Sequence, residues 1–236
     1  MTGVRASANE DSGVPAVHGL TAGRVVATVG TGEDFAVRAG LGSVGARSWT
    51  NERRAMHTQL LAVSSLSEQE QDDIRTDGLC VSGPPDTRNG PATLGTEPYP
   101  GAPPVWAVLV KSGGRVVSHA GILLRVVQVG DKRVPVGGIV GVTTLPKWRR
   151  RGCATATLTK AAEFIGGTLG MEFGMVLCTE PLMPFYRMRG WQAVEGPIVC
   201  VQPQGRLALS QAVAMVLPLR STAWPKGTID LCGAPW

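Results

Sequence analysis

The chain has 236 residues, 43% apolar and 17% charged, which suits one globular domain with an extension, or at most two small domains. No apolar run reaches the ~18 residues of a membrane span, and the start, Met1 to Pro15, lacks the basic and apolar regions of a secretory leader, so the cytoplasm is the expected address and no membrane partner is expected. The net charge of +5 is concentrated in Lys147, Arg149, Arg150 and Arg151, a cluster suited to a polyanion; with only six Trp, four Phe and two Tyr in the chain and none forming a platform beside it, nucleic acid is not expected as the partner.

In chain order, residues 1–55 carry no sustained periodicity and read as an N-terminal extension, with Met56 as an alternative start and 56–236 as the folded domain. Ser67 followed by Glu68 and Glu70 predicts a helix start, and Gly78 its end. Residues 83–104 hold Pro84, Pro85, Pro98, Pro100, Pro103 and Pro104 among glycines and predict a long loop.

Apolar runs then follow over 105–110, 115–129 and 133–144, joined by Lys-Ser-Gly-Gly and Gly-Asp-Lys; such short connections predict an antiparallel meander. A helix is predicted from Gly152 to about Thr168, with Ala154, Leu158, Ala161 or Ala162, and Ile165 near helical spacing and Gly166-Gly167 closing it. Phe173–Cys178 reads as a buried strand, Pro181–Met188 as a short helix, and Ala212–Leu219 as a last strand before a Pro/Gly-rich tail. This order makes the fold α+β (α/β), with a mixed, mainly antiparallel sheet flanked by helices. Five cysteines, at 80, 153, 178, 200 and 232, include no CxxC pair; reduced thiols are expected and no metal site.

The chemistry concentrates at Arg149-Arg150-Arg151-Gly152-Cys153-Ala154, between a strand and a helix. A helix N-terminus offers unpaired N–H groups and a favourable dipole to an anion, so a pyrophosphate fits there. Gly152 and the small Cys153, Ala154 and Thr155 leave the amides open, and the arginines add longer-range attraction.

With Arg149, Gly152 and Ala154 at the fixed positions of [QR]-x-x-G-x-[GA], the segment resembles the GNAT superfamily of N-acetyltransferases over about residues 105–219. The resemblance implies acetyl-CoA, or another acyl-CoA, as co-substrate and a small-molecule amine as acceptor, and leaves a homodimer open. It assigns the pantetheine arm to the backbone of Val142, Thr143 and Thr144, and the pyrophosphate to the loop from Arg149, through Arg150 and Arg151, to Thr155. Tyr186, in Tyr186-Arg187-Met188-Arg189-Gly190-Trp191, is similar to the tyrosine that protonates the departing thiolate in that superfamily. A buried stripe of Leu182, Phe185 and Met188 or Arg189 would turn Tyr186 toward the site.

Met56-His57-Thr58-Gln59, Ser118-His119-Ala120 and Trp224-Pro225-Lys226-Gly227 look like segments of aminoglycoside 2'-N-acetyltransferases, enzymes of antibiotic resistance. The last of these, with Arg125-Val126-Val127-Gln128, is also similar to nodulation-factor N-acyltransferases, which transfer longer chains. Both groups acylate amino sugars. A polycationic aminoglycoside calls for carboxylates, yet Val140, Leu209-Ser210-Gln211 and Thr228 stand where the resistance enzymes carry acids; Glu180 and Asp230 are the candidate substitutes, Asp230 for substrate binding. Glu180 is the first candidate for general base, although a water chain can serve. His119 reads as a packed histidine, and Cys153 and Cys178 as residues without a covalent role. A module that binds CoA or nucleic acid without catalysis is the alternative to an enzyme.

Overall fold

The computed structural model describes residues 56–76, 101–221 and 223–236. The expected extension 1–55, most of the proline-rich segment and Cys80 lie outside the described residues.

Strand β1 (His57–Ala62) pairs antiparallel with β2 (Trp106–Ser112). Between them in sequence lies α1 (Glu68–Thr76), which begins where the sequence predicts. Ser67 Oγ accepts from Glu70 N at 3.3 Å and Glu70 Oε2 accepts from Ser67 N at 2.7 Å, a reciprocal cap that satisfies two end donors. The inner face of α1 carries acids rather than a full apolar stripe: buried Glu70 pairs with Lys111 at 2.7 Å, and buried Asp73 pairs with Arg115 at 2.6 Å and accepts from Val116 N at 2.9 Å. These bonds clamp α1 to the turn that joins β2 to β3 (Arg115–Val129).

The predicted meander is present: β2, β3 and β4 (Lys132–Thr144) are antiparallel neighbours. A crossover through α2 (Cys153–Glu163) then brings β5 (Phe173–Cys178) parallel to β4. The helix continues as a wider π-type turn over Phe164–Thr168, at the predicted Gly166-Gly167 stop. Gly137 permits this crossover, since a Cβ there would lie 2.3 Å from Ile165 Cγ2. Past the short α3 (Met183–Arg187) come β6 (Gln192–Ala193), β7 (Ile198–Gln202), β8 (Gly205–Ala208) and β9 (Val213–Pro218), the last antiparallel to β5.

The tail is not merely irregular. Its β10 (Ile229–Asp230) pairs with the far end of β3 and with β7, giving the order β6-β9-β5-β4-β3-β10-β7-β8, with β2 and β1 beside the first half of β3. One apolar cluster, with Leu158, Ala161, Ile165 and Met215, fills the space between the sheet and α2; a second, with Val136, Phe173, Val127 and Trp236, lies on the opposite face under the tail.

Candidate active site

The site begins with a bulge. Gly121 faces Val140 and His119 faces Thr143, so β4 spends one residue more than β3, and Gly141 takes φ +62° there. Parallel pairing with β5 ends at Ile139–Val176, just before the bulge. From Val140 to Thr144 the edge of β4 that faced β5 has no strand partner among the described residues, while Leu177 and Cys178 stay paired to β9. The two strands therefore part into a wedge whose β4 wall presents backbone groups of Val142, Thr143 and Thr144.

Above the wedge the chain makes a tight turn over Pro146–Trp148 and enters the basic loop. Arg150 (φ +60°) and Gly152 (φ +82°) are both left-handed, which turns successive amides to one side. Gly152 is the N-cap of α2, and the first bond of the helix runs from Ala156 N to Gly152 O at 2.9 Å. None of the N–H groups of residues 150–155 is engaged by another described residue. Arg150 and residues 152–155 line a cleft of about 300 Å³ together with Thr144, Trp148 and Phe185. Five such residues around a cleft at a helix N-terminus can offer unengaged donors to a phosphate-rich ligand.

The arginines contribute less directly than the amides. Arg149 Nε donates back to Thr144 O at 3.2 Å, and Arg151 lies over the Trp148 ring at 5.3 Å. Beneath the loop, the Ser118 hydroxyl meets those of Thr144 at 2.8 Å and Thr157 at 3.1 Å, and Thr157 Oγ1 donates to Cys153 O at 3.0 Å. This buried network ties β3, the end of β4 and the first turn of α2 together, and nothing local in the sequence marks Ser118 or Thr157 for it. Cys153 is buried under the loop, and burial pushes its thiol pKa up, away from nucleophilic use.

Tyr186 departs from the orientation predicted for it. It is 4% exposed, packed edge-on against Phe185 and Trp191, whereas Leu182 and Met188 are 48% and 77% exposed. The predicted stripe assumed one regular helix; the chain instead makes a 3-10 turn over Glu180–Leu182 before α3, which shifts the angular positions. Tyr186 nevertheless belongs to the wedge: it shares an apolar cluster with Cys178 on the β5 side and Val142 on the β4 side. Its hydroxyl has no hydrogen-bond partner among the described residues, yet it is not one of the sealed polar atoms. Burial first, and the Cys178 thiolate second, raise its pKa well above the usual tyrosine range, against a weaker opposing pull from Arg189. A phenol in that condition stays protonated and can donate.

Glu180 is exposed, two residues beyond the end of β5. Asp230 lies elsewhere: it sits opposite Gln128, whereas the loop end of β4 sits opposite Ser118, a separation of roughly 33 Å along β3 at about 3.3 Å per residue. Its carboxylate is engaged by Arg206 and by Cys232 N, so it holds the tail and is remote from the wedge. His119 is buried beneath the bulge, as a packed histidine should be. Among the described residues no cluster of His, Cys, Asp and Glu could hold a metal, and no helix is long and apolar enough to cross a membrane.

A mixed sheet that parts beside a glycine-capped helix is the arrangement of the GNAT fold. Residues 97–194 match the model of the acetyltransferase (GNAT) domain. No curated protein matches the chain. Among solved structures, it is similar to a GCN5-related N-acetyltransferase from Kribbella flavida (29% identity, 37% of this chain and 21% of that one, TM-score 0.34), so it spans about a fifth of that protein. It is also similar to Escherichia coli ElaA (15% identity, 69% and 99% coverage, TM-score 0.46). A third likeness is to the Escherichia coli GNAT family N-acetyltransferase YhbS, solved in complex with CoA (13% identity, 54% and 67% coverage, TM-score 0.38).

Proposed function

We propose that the chain transfers an acetyl group from acetyl-CoA to a primary amine. The observation that carries this reading is the set of amides at 150–155 unengaged by other described residues, set beside a β4 edge without a strand partner among the described residues. The amides would take the pyrophosphate, and the backbone of Val142, Thr143 and Thr144 would pair with the amide-bearing pantetheine arm, which runs into the wedge as an added strand.

Transfer then needs two proton movements. The acceptor amine attacks the thioester carbonyl, a C–N bond forms, the C–S bond breaks, and the thiolate that leaves takes the proton of Tyr186 Oη. The proton lost by the amine passes to water, with the exposed Glu180 as first candidate to receive it. Tyr186 recovers its proton from solvent once the thiol has left.

For the acceptor we propose the amine of an amino sugar. The likeness of Ser118-His119-Ala120 and Trp224-Pro225-Lys226-Gly227 to enzymes of amino sugars supports this, and the apolar Val140 and Leu209 weigh against a polycationic aminoglycoside.

Incubation with acetyl-CoA and a panel of amino sugars, aminoglycosides and polyamines, read by mass spectrometry, tests both points. An acetylated amino sugar is the expected product. Gly152→Asp adds a charge and a side chain at φ +82°, yet its Cβ would meet no atom within 4 Å, so the fold should persist while acetyl-CoA binding is lost. Unchanged acetyl-CoA affinity in that variant would sink the assignment of the loop.

A further inference from the structure

Cys178 has no part in the proposed transfer, yet it stands where the sulfur of the donor would end. It lies on β5 two residues past Val176, the last residue paired with β4, and so about 7 Å into the parted region at about 3.3 Å per residue. By the same count the facing wall of the wedge is β4 at Gly141, the bulge. Among the described cysteines, Cys178 alone belongs to the apolar cluster of Tyr186 and Val142.

Tyr186 is the independent sign that a ligand enters here. Its side chain is buried, and its hydroxyl has no hydrogen-bond partner among the described residues, although it is not sealed. Charge on the Cys178 sulfur is felt at that hydroxyl, so phenol and thiol converge on one point. A buried donor without an acceptor calls for a ligand atom beside it, and a ligand sulfur that reaches Tyr186 also reaches Cys178.

We propose that Cys178 is a redox-sensitive modification site, at which the thiol of coenzyme A is captured as a mixed disulfide. The inference rests on the reading of the wedge as the path of the pantetheine arm, which brings the CoA sulfur to the bulge. The oxidant is a disulfide of CoA. Cys178 gives its proton to solvent, its thiolate attacks the sulfur of the CoA half held in the wedge, and a new S–S bond forms as the old one breaks. The other CoA half leaves as a thiolate and takes up a proton. Burial raises the pKa of Cys178 and makes it slow toward reagents from bulk water, but a bound disulfide is held against it, and proximity offsets the small thiolate fraction. The adduct fills the donor site and stops the transfer until a thiol reduces it.

Incubation of the full chain with CoA disulfide, followed by intact mass measurement and non-reducing peptide mapping, tests the site. One CoA adduct is expected, on the peptide that carries Cys178, and dithiothreitol should remove it and restore acetyl transfer. Acetyl-CoA at about ten times its Kd should slow the labelling about tenfold, by competition for one site. Iodoacetamide, with no CoA moiety to guide it, should label the exposed Cys232 before Cys178. Cys178→Ala should take no adduct, and Cys232→Ser should take it as wild type does; the mapped peptide of wild type decides the point without either variant. An adduct on another cysteine, or labelling that acetyl-CoA does not slow, overturns the site. Wild type that binds acetyl-CoA but forms no adduct overturns it and leaves the donor loop standing. Wild type that binds no acetyl-CoA overturns the donor loop and this site with it.

Discussion

Arg189 grips the hydroxyl of Thr155, from Nε at 3.1 Å and from Nη2 at 2.7 Å, and its guanidinium lies 3.8 Å from the centre of the Phe185 ring. The contact joins the end of α3 to the first turn of α2, so the helix that carries Tyr186 and the helix that opens with the basic loop are fixed to each other. Arg189 is half-buried, and its cation is matched here by a hydroxyl and a backbone carbonyl instead of a carboxylate.

Thr155→Val keeps the shape but removes the acceptor. Breaking hydrogen bonds to a charged group costs about 1–3 kcal/mol, and at this position part of that loss falls on the geometry of the loop. The expected outcome is a lower melting temperature and a KM for acetyl-CoA raised about three- to tenfold with a smaller change in kcat. Thr155→Ser, which retains the hydroxyl, should restore both. Steady-state kinetics that leave KM untouched in the valine variant would separate α3 from the donor site.

Tyr186→Phe removes one hydroxyl from a buried, apolar setting and leaves the ring contacts in place, so stability at neutral pH should change little. Turnover should fall about 10²-fold or more, with acetyl-CoA affinity nearly unchanged, as for loss of a general acid. Because burial raises the pKa of Tyr186, the phenol stays protonated through the ordinary working range, and the pH profile of kcat should show no alkaline limb from it below about pH 10. The sign for stability follows from the same shift. The unfolded tyrosine releases its proton near 10 while the folded one holds it, so its contribution is intact below that value and is lost as pH rises beyond it. Denaturation of wild type and Tyr186→Phe on either side of about pH 10 measures the difference, with only wild type carrying this loss.

Gly137→Ala should destabilise the fold by about 1–3 kcal/mol, since its Cβ would stand 2.3 Å from Ile165 Cγ2 and 2.7 Å from Cγ1. The melting temperature should drop by about 2–4 °C for each kcal/mol in a chain of this size. Ile165→Ala leaves a void on its own, but on the Gly137→Ala background it should cost less than the sum of the two, because one change relieves the other. Strict additivity in that double-mutant cycle would contradict the close approach of β4 and the π-type turn.

The sequence by itself determined the meander, the capped start of α1 and the glycine-opened α2. Each depends on residues contiguous in the chain: short turns set the register of β2 to β4, Ser67 and Glu70 close their own cap, and Gly152 takes the left-handed conformation that starts a helix. Tertiary structure decided the rest. The two-residue β10 is too short to show a strand period, and its place between β3 and β7 comes only from partners far away in sequence. That pairing takes Asp230 away from the wedge, although its position in the tail had made it a candidate for the acceptor. The orientation of Tyr186 was likewise decided by tertiary structure, because a 3-10 turn upstream reset the helix face and Trp191 and Cys178 closed around it. The grip of Arg189 on Thr155 spans 34 positions, and such a bond exists only once two helices have packed side by side.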